Sequence, residues 1–456
     1  MKGRELSRVR KQTGLVFLLL VLLLLLIGGA TLFVSAGGSG LSSAKLDRNQ
    51  ITADALAAAK NALLAYTISR DDYSSSSRPG EFPCPTTVSP DDPSYGKANT
   101  SCSSIPKIGR LPWRTLGIPE PVDAYGEPLW YSLSGNFKPS TSVAINSNSL
   151  GQLVVYQADE TSPLVSQVVV VIFAAGPPIA GQSRSATTAL CTTTGTAIAQ
   201  NVCASNYLET YSGKNNATNS GPYTLGKITD NFNDRVALIT TSDFIPKIED
   251  RIASSLTLTL KTYYQDTGFY PYAAYYRDIK NLTNNKAASQ IDQANCADGV
   301  FSGRLPEYIN EISFSPASPN LPCVTYSQGW PALGANGALP VWFFKNNWNT
   351  TVFYAVAKQY VAGGSKTCVV LGDCLKVEGD ITVQNVQAVI ILPGIPLATQ
   401  LRPTLTPDDV SAGLDIQNYF EDPENRQGWN FSPDNYIYKS TASTLPSRDR
   451  LIVIKN

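Results

Sequence analysis

The sequence predicts an α+β protein: an N-terminal transmembrane helix followed by two tandem, internally duplicated units, each a helix with an antiparallel sheet. Three observations predict it. An apolar run without a charge or a proline covers residues 15–36. Two later segments, 44–70 and 243–264, place apolar residues at helical spacing. A fourteen-residue stretch, "VIFAAGPPIAGQSR" at 171–184, returns as "VIILPGIPLATQLR" at 389–402 with seven identities and no gap.

Residues 1–14 form a basic leader, with Lys2, Arg4, Arg8, Arg10 and Lys11 against Glu5. The apolar run that follows is long enough to span a bilayer as a helix. The positive-inside rule places the leader in the cytoplasm and the rest of the chain outside. Three readings of this segment stand side by side: a permanent single-pass anchor, a secretory signal cleaved after Val34-Ser35-Ala36, and a leader cut after Gly14. "AGGSGLSS" (36–43) is a small-residue spacer. In the segment after it, Leu56, Ala59, Leu63 and Tyr66 repeat as one helical face.

A short basic leader ending in Gly14, followed directly by an unbroken apolar helix, resembles the leader of type IV pilin-like proteins. The resemblance implies cleavage between Gly14 and Leu15 by a dedicated peptidase. It also implies an inner-membrane anchor, with the bulk of the chain periplasmic or extracellular, and other pilin-like subunits as partners. Position five after the cut is Leu19 where most of that family carries a Glu. "GEFPCP" followed by "GRLPWRTLGIPEPVDAYGEPLWYSL" (109–133) also resembles a segment of exported, prepilin-leader proteins of Gram-negative bacteria.

The duplication extends beyond its best-matched stretch. "NYLE" (206–209) pairs with "NYFE" (418–421), and "NDRVALI" (233–239) with "RDRLIVI" (448–454). "YGEPLWYSL" (125–133) pairs with "WNTTVFYAV" (348–356), and "LPWRTLG" (111–117) with "GWPALG" (329–334). "GRLP" occurs at 109–112 and 303–306, but that register breaks the order of the cysteines, so the 329–334 register is preferred. The second helix is expected to start behind Asp243 as N-cap, with Ile248, Ile252, Leu256 and Leu260 on one face. The units are set at 43–245 and 246–456. Arg184, Arg402, Asp234, Arg235, Asp449 and Arg450 recur in both and are expected to serve the fold.

Composition narrows the chemistry. Lys and Arg total 36 and Asp and Glu 36, so no basic surplus favours nucleic acid. Histidine is absent, which excludes Ser-His-Asp and Cys-His catalysis and histidine-based zinc sites. Eight cysteines in an exported chain suggest disulfides. Sequence neighbours are the favoured pairs: Cys84–Cys102, Cys191–Cys203, Cys296–Cys323 and Cys368–Cys374.

The Gly-Pro stretch reads as a buried strand stopped by a turn rather than a phosphate loop, because Pro177 and Pro178 lack the N–H groups such a loop needs. The acidic pairs Asp71-Asp72, Asp91-Asp92 and Asp408-Asp409 and the run "EDPEN" (421–425) fit solvated loops better than calcium ligands. "SSAK" (42–45) and "SIPK" (104–107) match S-x-x-K without its helix context. The tryptophans and tyrosines read as core. No catalytic, metal or cofactor residue and no small-molecule substrate is predicted. The favoured function is a membrane-anchored, exported structural or interaction protein. The resemblance would make it a minor pilin or pseudopilin of a type IV pilus or type II secretion-type filament, serving assembly, tip display or adhesion. A membrane-tethered periplasmic binding module is the alternative, and a histidine-free hydrolase the weakest.

Overall fold

The structure is a computed structural model that describes residues 43–70, 78–100, 102, 108–139, 143–273, 301–305, 310–313, 324–327, 339, 341–361, 364–368, 374–379, 382–402, 416–427, 437–440 and 449–455. The first half opens with helix α1 (Ser43–Ser69), strand β1 (Ile108–Arg110), the short helix α2 (Trp113–Leu116) and β2 (Trp130–Leu133). Next come β3 (Leu153–Gln157), the long β4 (Pro163–Ala174) and two small hairpins, β5 (Thr188–Cys191) with β6 (Thr196–Ala199) and β7 (Thr210–Tyr211) with β8 (Lys214–Asn215). β9 (Tyr223–Leu225) and β10 (Arg235–Thr240) complete that half.

Helix α3 (Ile245–Thr267) opens the second half, followed by β11 (Ser302–Arg304) and a hairpin of β12 (Asn310–Ser313) and β13 (Val324–Ser327). After these come α4 (Val341–Lys345), β14 (Phe353–Val356), β15 (Leu375–Gly379), β16 (Val383–Val386) and β17 (Ala388–Leu392). The last elements are α5 (Pro423–Gln427), β18 (Ile437–Ser440) and β19 (Arg450–Ile454).

β4 is the centre of the first half. Its end pairs antiparallel with β2 on one side and β10 on the other, and its start pairs with β3. Alternate residues face opposite sides of a strand, and both sides are covered here. Val170 and Ile172 join the core under α1, while Val171 and Phe173 join a second core beneath residues 204–223. A strand buried on both faces reads as a continuous apolar run, as "VVVVIFA" does.

The second half repeats this ladder. β1 pairs with β2 as β11 pairs with β14, and β2 meets β4 as β14 meets β17. The edge strands β10 and β19 sit in matching register, Arg235 opposite Ala174 and Arg450 opposite Leu392. β3 pairs parallel with β9, and β15 parallel with β18. Gln167 and Asn385 both take a left-handed φ just before the shared apolar run, where each strand kinks from one partner to the next.

Several expectations are corrected. The predicted fold class, a transmembrane helix leading two antiparallel α+β units, does not hold. The described chain is mostly β, with several sheets, and two of its strand pairings are parallel. One apolar core runs through both halves, joining Leu63 and Phe82 to Tyr354 and Ile390. No helix among the described residues is long and apolar enough to cross a membrane. α1 carries Lys45, Asp47, Arg48, Asp54 and Lys60 along its length. The single-pass inner-membrane location is withdrawn accordingly, and residues 1–36, with Gly14 and Leu15, lie outside the described residues.

Asp243 does not cap α3. It closes a 3-10 turn at Thr241–Asp243 in a reciprocal box with Thr240, and Phe244 precedes α3 without a side-chain cap. The rejected "GRLP" register is the one the strands follow, since β1 and β11 hold equivalent places. Strand order repeats where cysteine order does not: β11 falls between Cys296 and Cys323, whereas β1 follows both Cys84 and Cys102.

Among the described residues three disulfides are formed, Cys84–Cys102, Cys191–Cys203 and Cys368–Cys374, and each clips one local loop. Cys296 and Cys323 lie outside the described residues. α1 buries Leu56, Ala59 and Leu63 against the first sheet, while α3 buries Ile248, Ile252, Leu256 and Leu260. Phe244 is wedged edge-on between Phe82 and Phe137, with centroids 5.3 and 5.8 Å away.

Asn346 stitches the halves. Its Oδ1 accepts from Ile145 N at 3.0 Å and from Arg78 Nη1 at 3.1 Å, and its carbonyl accepts from Asn146 Nδ2 at 2.9 Å. Asn346→Ala should therefore cost about 1–3 kcal/mol, by leaving Ile145 N unmet and removing one of the two acceptors of Arg78 Nη1. Because the core is continuous, denaturation followed by Trp fluorescence and far-UV dichroism should give one coincident transition. Two separated transitions would show that the halves fold apart.

Candidate functional site

The repeated stretch ends in a corner, and the corner is built twice from the same atoms. β4 runs into Gly176, which takes φ +63°; β17 runs into Gly394, at φ +64°. That conformation costs a residue with a side chain and costs glycine almost nothing. In the first copy, a Cβ at Gly176 would also lie 2.7 Å from Asn233 Oδ1.

A chain leaving a sheet this sharply strands its carbonyls, and an arginine collects them. Arg184 donates from Nε to Asn206 O at 2.9 Å, from Nη1 to Gly176 O at 2.8 Å and from Nη2 to Gln182 Oε1 at 2.9 Å. Arg402 donates from Nε to Asn418 O at 2.8 Å, from Nη1 to Gly394 O and from Nη2 to Gln400 Oε1 at 3.1 Å. Each guanidinium lies over the ring of the tyrosine in the repeated "NY" pair, Tyr207 at 4.5 Å and Tyr419 at 5.0 Å. A second arginine stacks on each tyrosine. Arg110 lies over Tyr207 and Trp130, and Arg304 over Tyr419 and Phe353. Arg110 and Arg304 are the arginines of the two "GRLP" copies, so the register set aside on cysteine order held half of the stack.

The glutamine of each corner acts in both directions. Gln182 Oε1 accepts from Ile179 N at 3.1 Å, and its Nε2 donates to Glu209 Oε1 at 2.7 Å. Gln400 Oε1 accepts from Leu397 N at 3.0 Å, and its Nε2 donates to Glu421 Oε1 at 2.6 Å. The glutamates are those of "NYLE" and "NYFE".

Behind each glutamate lies a buried aspartate. Asp234 Oδ2 accepts from Glu209 N and Asn216 Nδ2, both at 2.9 Å. Asp449 Oδ2 accepts from Asp422 N at 3.5 Å and Asn425 Nδ2 at 3.4 Å. The two asparagines fasten the last strand of the parallel pair. Asn216 exchanges hydrogen bonds with Thr224 N and O, and Asn425 with Lys439 N and O. Burial pushes Asp234 and Glu209 above the ordinary carboxylate range, and pushes Asp449 up to about 8. Burial also lowers Arg402 to about 10, still charged at neutral pH. Arg184 forms a further ion pair with Glu127 at 2.9 Å.

The other repeated arginines reach the helices. Arg235 donates to Asn49 Oδ1 on α1 at 2.7 Å, and Arg450 pairs with Asp250 on α3. Asn216, the first residue of an Asn-Ala-Thr triplet, is fully buried. Of the acidic loops, Asp71-Asp72 and Asp408-Asp409 lie outside the described residues, and so do Ser42, Ser104 and Lys107 of the S-x-x-K matches. "EDPEN" is α5 and its approach, where Glu421 and Asn425 face the corner. Among the described residues, no group of three or more acidic, Cys or His side chains could hold a metal ion.

The structure thus brings Arg184 together with Asp234, and Arg402 with Asp449, each through one glutamine and one glutamate. No protein-family model, curated protein or solved structure matches the chain. Arg402→Lys keeps the charge and loses the fork, so three acceptors around it go short. A loss of about 3 kcal/mol in urea denaturation is expected. Wild-type stability in that variant would mean that the carbonyls of the corner need no arginine.

Proposed function

We propose that the chain is a structural or interaction protein, a pilin-like component of a type IV pilus or type II secretion-type filament, acting in assembly, tip display or adhesion. The observation that carries this reading is where the repeated ionisable groups go. Arg184, Arg402, Asp234 and Asp449 are turned inward and engaged with backbone and side chains of their own corners. Catalysis needs such groups facing a substrate; here they hold up a scaffold.

Two further features support it. The sequence around Gly14 and Leu15 has the form of a prepilin leader. A long helix, α1, then lies along an antiparallel ladder, with Leu56, Ala59 and Leu63 against it. Edge strands β10 and β19 offer partly exposed, apolar-rich rims where subunits could meet. Co-expression with a prepilin peptidase, followed by mass spectrometry of the intact chain, tests the reading. A mature N-terminus at Leu15 is expected. An unprocessed Met1, or a start at Gly37, would remove the filament reading and leave a binding module.

A further inference from the structure

We propose that each corner is a proton-held latch: one proton, shared by Glu209 and Asp234 in the first half and by Glu421 and Asp449 in the second, keeps it closed, and loss of that proton releases it.

The geometry carries this in both copies. The backbone sets the members of each pair side by side: Glu209 N donates to Asp234 Oδ2 at 2.9 Å and Asn233 N to Glu209 Oε2 at 3.0 Å, and Asp422 N, next to Glu421, donates to Asp449 Oδ2 at 3.5 Å. Two neighbouring carboxylates in a buried place repel, and neither has a hydrogen to give the other. The proton has an evident seat. Asp234 Oδ1 and Asp449 Oδ1 are buried and receive no N–H or O–H donor, while the Oδ2 of each aspartate accepts two. A hydroxyl at Oδ1 donating to the glutamate satisfies the pair.

The charged groups around the pairs do not remove the need for it. Arg184 acts on Glu209 from the corner, but its guanidinium already serves Gly176 O, Asn206 O, Gln182 and Glu127. In the second half Arg402 faces Tyr419, Glu421, Asp449 and, from α3, Glu249. Arg304 is stacked on the same Tyr419 ring, so two guanidiniums stand near these carboxyl groups, and burial beside Glu421 still disfavours the ionised form of Asp449.

The sign follows. Asp449 titrates at about 8 in the folded chain, well above its ordinary 3.8. The folded state therefore holds a proton that the unfolded state gives up. The pair's contribution is whole below about pH 4, falls as pH rises toward 8 and is flat above it, at up to about tenfold in the folding equilibrium per pH unit. Ionisation sets Glu421 against Asp449. Glu421 holds Gln400, Gln400 holds Arg402, and Asp449 holds Asn425 on β18. The corner and β18 should loosen together. Asp234 is the more deeply buried, so the first corner should open at higher pH than the second.

The test uses the full chain. Side-chain 13C resonances of Asp and Glu, followed from about pH 5 to pH 10, should show Asp449 protonated at neutral pH and titrating near 8. Amide exchange, corrected for its base dependence, should show protection lost at Gln400–Arg402 and β18 first, then at Gln182–Arg184 and β9. Asp449→Asn places an N–H where the proton sits, and should flatten the pH dependence of the second corner while leaving the first unchanged. Asp234→Asn should do the converse. An Asp449 carboxylate already ionised at pH 6, or an Asp449→Asn variant that follows the wild-type pH profile, would overturn the latch. If the variants do not fold, the wild-type 13C titration decides alone. Neither outcome bears on the processing site at Gly14, so the latch and the filament reading fail separately.

Discussion

A half-buried arginine in the crook of a turn is the constraint on which this architecture depends. β4 and β17 are covered on at least one face and flanked on both sides, so the chain cannot leave them gradually. A sharp exit through glycine leaves carbonyls that no strand can pair, in a place only partly open to water. The guanidinium of Arg184 or Arg402 supplies donors in a fixed plane, and a tyrosine face below supplies a surface that favours the cation. Everything near the corner serves that charge: the glutamine that orients it, the glutamate that orients the glutamine, and the aspartate that holds the strand beyond. A lysine, a point charge on a flexible stem, could satisfy one of these acceptors at a time.

The same logic explains why the two halves are bound so closely. Each sheet has one face for its own helix, but α3 lies between the halves, with Ile248 close to Gly80 and Ile145 of the first. Arg251 of α3 donates to Ile68 O in the last turn of α1 and to Arg70 O just beyond it. Arg402 of the second corner reaches Asn148 of the first half at 3.4 Å. The helix ends are thus capped across the repeat boundary, and a cut at residue 245 would expose apolar surface on both pieces.

Much of the corner was legible in the sequence because its parts are local. "VIFAAGPPIAGQSR" carries strand, glycine, glutamine and arginine in order, and the matching residues at 389–402 mark them as structural. "NYLE" and "NYFE" carry the tyrosine and the glutamate. What could not be read is whatever joins distant segments. Asn216 and Asn425 occupy equivalent places, yet nothing around them in sequence matches, because each contributes a single side chain to a backbone it meets by folding. Arg110 and Arg304 were visible as "GRLP", and cysteine order pointed away from them. Disulfides clip loops that vary between the halves, whereas the order of strand pairing is kept. The parallel pairings β3–β9 and β15–β18 were hidden for the same reason: strand direction depends on the path of the intervening loop, which leaves no local pattern.

The halves also show how far one scaffold tolerates change. Val169 lies inside the unbroken β4, and its carbonyl accepts from Ser134 N at 2.8 Å. Gln387 holds the equivalent place, and its carbonyl accepts from Ala357 N at the same distance. The backbone bond is kept although the ladder is divided there into β16 and β17. A polar side chain at a buried site needs its own partner, and Gln387 Oε1 accepts from Tyr270 OH at 3.1 Å. Tyr270 stands just beyond the end of α3, stacked on Tyr264 at 4.7 Å. The second half has thus exchanged an apolar contact at the sheet centre for a hydrogen bond that fastens the C-terminal end of its helix. The corner, 7 residues further on in each copy, is unchanged by that exchange. Its bonds run to its own glycine, glutamine and arginine, so the helix end can be refitted without disturbing it.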